Sequence, residues 1–306
     1  MGARRLFLAA TDFSDDAQHA LGRAALLAQE HEAQLKLLHV VSEPSLQSLK
    51  GILGIPIDIE ARVLDEAAAT LHRLADGLTS RIGIQPEVEV RTGDIAGEIL
   101  SAAEQADLLA VGARGSSGFL GLFLGSISER LLRRCRRPVL VVKRPPETPY
   151  ERVMVPIALG PSSSTALRAS LVFTPRAETT VFHAFSVPYE NTLHLSGVMD
   201  DDIRRFRERA QRAALQKVDS MISPLGAAAG RMRRSVEHGD PARLILAQES
   251  ELETDLIIIG KKGESALHDI LLGSVTRHVL STSRADVMVV GEEMDETVGV
   301  ALSTGV

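Results

Sequence analysis

This chain contains the same sequence pattern twice, and that limits what it can fold into more than any other feature. Residues 107–142, DLLAVGARGSSGFLGLFLGSISERLLRRCRRPVLVV, align without a gap on residues 255–290, DLIIIGKKGESALHDILLGSVTRHVLSTSRADVMVV, with 13 of 36 positions identical. Shorter blocks match in the same order: FLAATDFSDDAQHAL (7–21) with VMVPIALGPSSSTAL (153–167), HVVSEP (39–44) with HAFSVP (183–188), and GDIAGEIL (93–100) with GDPARLIL (239–246). Matching blocks in a fixed order are a tandem duplication, and each copy, at roughly 150 residues, has the size of one domain. We expect domain 1 over residues 1–146 and domain 2 over 147–306. The linker KRPPETPYE (143–151) carries three prolines that break both periodicities. The tail after Val290 has no clear period and is left unassigned.

Within each copy, short apolar runs alternate with amphipathic stretches. In the first copy the runs at 5–11, 35–41, 86–92, 107–112 and 138–142 read as strands. LLAVG and PVLVV are continuous aliphatic runs of the kind that parallel strands need when both faces are covered. The stretch 14–30 reads as a helix with Ser14 as N-cap and Ala17, Leu21, Ala24 and Ala28 on one face. Longer helices are expected over 60–82 and 199–222, the latter opening on Asp200, Asp201 and Asp202. The alternation predicts an α/β fold: two tandem Rossmann-like, doubly wound parallel sheets, five strands each, packed as a pseudo-dimer. Association of two chains into a homodimer is a further expectation.

In such sheets ligands bind beyond the carboxyl ends of the strands, where the strand order reverses. The most informative segment sits at such an end. Gly112 closes a strand, two residues lead to Gly115, nine more lead to Gly125, and Ser126 opens a helix. Gly260, Gly263, Gly273 and Ser274 repeat this spacing. A glycine at a strand exit permits a positive φ and close approach of a ligand. A Gly-Ser at a helix start offers free N–H groups, a hydroxyl and the positive end of the dipole to a phosphate. Ser128 and Thr276 add a second hydroxyl in the first turn. Packing is the competing reading, since duplication preserves spacing for structural reasons too.

The composition narrows the classes of function. With 34 Lys and Arg against 40 Asp and Glu, the formal net charge is −6, and aromatic residues are only 3% with no Trp. Neither a phosphate-backbone field nor base-stacking platforms are present, so nucleic acid is not an expected partner. The run from Arg130 to Arg137 then reads as a solvated helix end. No segment approaches the ~18 apolar residues of a membrane span, and the apolar run before Asp12 is too short for a signal sequence, so no membrane partner is expected. The single Cys135 forms no internal disulfide, which fits a cytoplasmic location. GxxxxGK[ST], GxGxxG, GxSxG, HExxH and CxxC are all absent, so no standard enzyme motif is present. The nine His are scattered. His39 and His183 hold equivalent places and read as structural, and His268, Asp269 and His278 match no ligand spacing, so no metal site is assigned.

G-x2-G-x9-G-S after a D-L-aliphatic strand, with ATDFSDDAQHAL at the start, HVV ending strand two and GD-x4-IL further on, resembles the universal stress protein family. The resemblance covers residues 4–143 and 151–291. It implies ATP as the ligand, with Mg2+ accompanying the nucleotide. It also implies that Asp12, with Thr11 and Val41 beside it, contacts the adenosine part. Gly112, Arg114, Gly115, Gly125, Ser126, Ile127 and Ser128 would hold the phosphates. The other reading of Asp12 is a cap on the turn into the first helix. In the second copy Ala158 stands where Asp12 stands in the first. Gly260, Lys262, Gly263, Gly273, Ser274, Val275 and Thr276 keep the phosphate pattern, so this half is expected to bind ATP weakly, differently or not at all. The expected role is a regulatory nucleotide-binding module. A slow ATPase or phosphotransferase, a nucleotide-free stress scaffold, and a carrier that uses the apolar residues Leu46, Leu49, Ile52, Leu53, Ile55 and Ile57 stand as alternatives.

Overall fold

The computed structural model describes residues 4–53, 59–115, 125–187, 190, 199–261 and 272–291. The chain divides into two compact units, Met1–Pro149 and Tyr150–Val306. The division falls a few residues beyond the expected 146/147 boundary, for a visible reason. The Pro146 ring occupies the space beside Gly22, where a Cβ would lie 2.7 Å from it. Arg23, buried in the same helix, donates to the Thr148 carbonyl at 2.6 Å. Pro146 and the Thr148 carbonyl therefore hold this stretch against that helix of the first unit.

The first unit is a parallel sheet with strand order β3-β2-β1-β4-β5. Its strands are β1 (Leu6–Thr11), β2 (Gln34–Ser42), β3 (Glu87–Gly93), β4 (Leu108–Gly112) and β5 (Val139–Val142). Each lies within one residue of its expected bounds. Its helices are α1 (Asp15–Glu30), α2 (Glu43–Leu53), α3 (Ile59–Ile82), α4 (Ile95–Ala103) and α5 (Ser126–Arg134). β4 and β5 are buried along their whole length, as strands covered on both faces must be. α1 begins where expected: Ser14 is extended, and its hydroxyl accepts from Ala17 N–H. The helix buries Ala17, Ala20, Ala24, Ala25 and Ala28, small residues that let its backbone lie close to the strands.

Helix α2 was not anticipated. Its Leu46 is buried against Val41 and Ala67, with Phe13, Val63, Leu64 and Val90 around them. Leu46 thus belongs to ordinary packing between β2 and α3. Ile55 and Ile57 lie outside the described residues, and the side chains of Leu49, Ile52 and Leu53 are outside the description too.

The second unit repeats the plan with strand order β8-β7-β6-β9-β10. Its strands are β6 (Arg152–Pro156), β7 (Glu178–Phe185), β8 (Arg233–His238), β9 (Leu256–Gly260) and β10 (Asp286–Val290). The described helices are α6 (Pro161–Phe173), α7 (Asp200–Ile222), α8 (Pro241–Glu251) and α9 (Ser274–Thr282). A 3-10 turn over Ser223–Arg231, bent at Gly226 with φ 62°, follows α7 and has no counterpart in the first unit. Tyr150 opens the unit: its buried hydroxyl donates to Asp286 Oδ2 at 2.6 Å, tying the entry of the chain to the base of β10.

Candidate functional site

In the first unit the chain leaves β1 toward β2 on one side, while β4 flanks β1 on the other. The carboxyl ends of β1 and β4 therefore bound the crevice where such a sheet takes ligands. Two connections meet there: the turn from β1 into α1, and the loop that leaves β4 and re-enters helix at Gly125.

The β1–α1 turn is held by its own polar groups. Phe13 has a positive φ of 69°, unusual for a bulky side chain. Thr11 Oγ1 accepts from Phe13 N–H at 3.0 Å, and Asp12 Oδ1 accepts from both the N–H (3.1 Å) and the hydroxyl (2.5 Å) of Ser14. The His39 ring donates through Nδ1 to the Thr11 carbonyl at 2.8 Å and stacks on Phe13 with centroids 4.1 Å apart. Burial lowers the pKa of His39, the Thr11 hydrogen bond and the Asp12 charge opposing it less strongly. Asp12 does cap the turn through one oxygen. Its other oxygen, Oδ2, faces the glycine loop: a Cβ on Gly115 would lie 2.8 Å from it.

The three glycines serve three different purposes. At Gly112 a Cβ would lie 2.7 to 2.9 Å from backbone atoms of Asp16 and Ala17. Its φ is not positive, and the atoms that approach it belong to α1 rather than to a ligand. That corrects the sequence reading of the strand-exit glycine. Gly115 makes room for Asp12. Gly125 is the N-cap of α5, and a Cβ there would lie 3.6 Å from Gly115 N and 3.8 Å from the Ala113 carbonyl, ordinary contact distances. The loop is closed at its base, where Gly125 N–H donates to the Ala113 carbonyl at 3.1 Å. Arg114 is tied to Asp16 through its N–H (3.1 Å) and its Nε (3.0 Å).

The first intrahelical bond of α5 runs from Glu129 N–H to Gly125. The N–H groups of Ser126, Ile127 and Ser128 precede it and point out of the helix start. The Ser126 side chain is exposed beside them. Ser128 differs from its expected role: it is buried, and its hydroxyl donates to the Gly112 carbonyl at 3.0 Å. Thr276 does the same to Gly260 at 2.8 Å. These hydroxyls staple the helix start to the strand end, and their protons are already used. Thr11 Oγ1 is engaged differently, as an acceptor from Phe13 N–H within the turn, and the Val41 side chain packs in the core against Leu46 and Ala67.

The second unit keeps the backbone of this site and changes its side chains. Leu159 has a φ of 60° at the place of Phe13, and His183 Nδ1 donates to the Ile157 carbonyl at 2.8 Å. Gly273 N–H closes the loop on Lys261 at 3.0 Å, Ser274 is exposed, and Val275 follows in the first turn of α9. At Gly260 a Cβ would lie 2.7 Å from Ser162 Oγ. The acid of the first unit is missing: Ala158 N–H is capped instead by Ser163 Oγ at 3.0 Å. Beside this turn a cleft of about 680 Å3 is lined by Leu159, Ser164, His183, Phe185 and Lys217 among others. Lys262, Gly263, His268 and Asp269 lie outside the described residues.

Asp16 was the residue that the sequence reading missed. It sits one turn past Asp12, on the face that meets the loop, but only the fold shows that Arg114 reaches it. The arginine run is largely accounted for by local ties: Arg130 to Asp94 (3.1 Å), Arg133 to Glu129 (2.6 Å) and Arg137 to the Glu104 carbonyl (2.7 Å). His39 and His183 both serve turn carbonyls, the structural role expected of them. Among the described residues no helix is long and apolar enough to cross a membrane.

Comparison with known proteins agrees with this repeated fold. The model of the universal stress protein family matches residues 4–143 and again 149–291. A universal stress protein of Mycolicibacterium smegmatis is 26% identical over 297 residues, covering 92% of this chain and 96% of that protein. Universal stress protein YxiE of Bacillus subtilis is 36% identical over 144 residues, 44% of this chain and 97% of its own length. Among solved structures, a universal stress protein from Archaeoglobus fulgidus superposes with a TM-score of 0.68 at 22% identity, covering 94% of this chain and 98% of that one.

Proposed function

The chain belongs to the universal stress protein family, and on that premise we propose that its first unit binds ATP or a related adenine nucleotide as a regulatory module. Asp12 faces the adenosine part, where a carboxylate accepts from base or ribose donors. The N–H groups of Ser126, Ile127 and Ser128, the Ser126 hydroxyl and Arg114 face the phosphates at the positive end of α5. The nucleotide brings Mg2+ on its own phosphates.

The observation that carries this reading is the pairing of Asp12 with Gly115. The acid and the loop adjoin so closely that a Cβ on Gly115 would meet Asp12 Oδ2 at 2.8 Å. One continuous site thus offers acceptors at one end and donors at the other. Gly125 supports the same reading. Among the described residues a Cβ there would meet only backbone of Ala113, Arg114 and Gly115, at ordinary contact distances of 3.6 to 3.9 Å, so the glycine at the helix start is not required by the packing of those residues. The second unit retains the closed loop and the helix start but carries Ala158 for the acid, so it holds phosphate without reading adenosine. Nucleotide occupancy acts on the protein's conformation only insofar as one state binds it more tightly.

The test is native mass spectrometry of freshly purified protein, followed by calorimetric titration with ATP, ADP and GTP in Mg2+. We expect one adenine nucleotide per chain and much weaker GTP binding. Two nucleotides per chain would refute the division of labour between the units. No binding at millimolar ATP would refute the nucleotide reading altogether.

A further inference from the structure

We propose that Asp16 is the positioning residue and counter-ion of the loop cation Arg114, and that by holding this cation it limits how far the site favours triphosphates over nucleosides. The inference rests on the nucleotide reading above. A single oxygen, Asp16 Oδ2, accepts two bonds from Arg114: one from the backbone N–H at 3.1 Å, the other from Nε at 3.0 Å. The first fixes the path of the glycine loop as it leaves β4. The second fixes the guanidinium and offsets its charge.

The two partners are unequally placed. The Asp16 side chain is 16% exposed and that of Arg114 is 64% exposed, so the acid is the anchored member and the cation is the one that faces incoming ligand. Asp16 cannot recede, because its backbone already lies against Gly112 at the distance only a glycine allows. A guanidinium in hydrogen-bond contact with a carboxylate presents little net positive charge to a phosphate. The acid therefore orders the loop and restrains its electrostatics at once. In the second unit the matching position is Ser162, which carries no charge. The device is built only where Asp12 is also present.

Asp16→Asn separates the two roles: the amide oxygen still accepts from Arg114 N–H, while the charge that neutralises the guanidinium is gone. In full-length protein at low salt, calorimetry should show ATP binding roughly twofold to fivefold tighter in Asp16→Asn, the range expected of a largely exposed charge. Adenosine affinity should not change. The gain should shrink at about 0.5 M salt, where the Debye length falls to a few ångströms. It should vanish in an Arg114→Gln background, and Asp16→Ala, which also removes the acceptor, should not reproduce it. Thermal melts of each variant report folding separately. Unchanged or weaker ATP binding in Asp16→Asn, an equal gain for adenosine, or a gain that survives Arg114→Gln would overturn the inference while leaving the nucleotide reading intact. A wild-type chain that binds neither ATP nor adenosine would overturn both.

Discussion

Replacing the three loop glycines by alanine, one at a time, separates what folding requires from what a ligand requires. Gly112→Ala puts a Cβ within 2.9 Å of three backbone atoms of Asp16 and Ala17. That stretch of α1 cannot yield cheaply, because Ser14 caps it through Ala17 N–H and Gln18 N–H. Overpacking of this kind costs about 1 to 3 kcal/mol, and rigid backbone on the opposing side places Gly112→Ala at the upper end. Gly125→Ala meets nothing closer than 3.6 Å among the described residues. Its backbone, φ −61° and ψ 146°, suits alanine. The loss of a good N-cap residue, about 1 kcal/mol, is then offset by a comparable reduction in unfolded-chain entropy, leaving a change within about 0.5 kcal/mol of zero. Gly115→Ala lies between: among the described residues the close atom is Asp12 Oδ2, the tip of a side chain that must shift and so strains its Oδ1 bonds from Ser14. Guanidinium denaturation fitted with separate transitions for the two units measures the first-unit stability of each variant, and ATP calorimetry measures the site. We expect Gly112→Ala to unfold early, and Gly125→Ala and Gly115→Ala to fold but bind poorly. A Gly112→Ala protein as stable as wild type, or a Gly125→Ala protein as unstable as Gly112→Ala, would refute this steric assignment.

Two further outcomes follow from hydrogen bonds at the strand ends. Ser128→Ala and Thr276→Val each strip a buried donor from a glycine carbonyl and should cost about 1 to 3 kcal/mol in their own units, with nucleotide affinity unchanged in folded Ser128→Ala; denaturation and calorimetry check both. His39 has a pKa held below its usual 6.5 by burial, so the unfolded chain binds more protons and stability falls as pH drops through 6.5 toward the folded value. Denaturation midpoints between pH 7.5 and 5.5 should therefore slope downward with acid in wild type, and that slope should flatten in His39→Gln, which keeps a donor for the Thr11 carbonyl.

The duplication, the parallel strands and the α1 cap were legible because each rests on local chemistry: repeated words, aliphatic runs, a serine before an amphipathic stretch. α2 was not legible. Its apolar residues between Leu46 and Leu53 follow a helical spacing, but Pro44 and Gly51 interrupt the propensity, and packing of Leu46 against β2 and α3 outweighs both. The candidate site was legible as glycines and hydroxyls near strand ends, and the side-chain bonds that several of them make were not. Spacing alone cannot say that the room beside Gly112 belongs to the protein's own helix, while a Cβ at Gly125 would meet only ordinary contacts among the described residues. Nor can it say that Ser128 faces inward while Ser126 two residues earlier faces out. Asp16 was invisible for the same reason, since its partner Arg114 lies 98 residues along the chain.

The same bent backbone recurs at the start of each unit, at Phe13 in one and Leu159 in the other. A left-handed backbone at a bulky side chain is disfavoured, so each turn has to be held in place by its surroundings. Both copies hold it, although the residue before it is Asp12 in one and Ala158 in the other, and in both a histidine braces the carbonyl two residues before it. The two copies thus share the posture of the chain and differ in its chemistry. For protein engineering the second unit is a chassis with its turn already bent, open to having a new recognition residue installed at position 158.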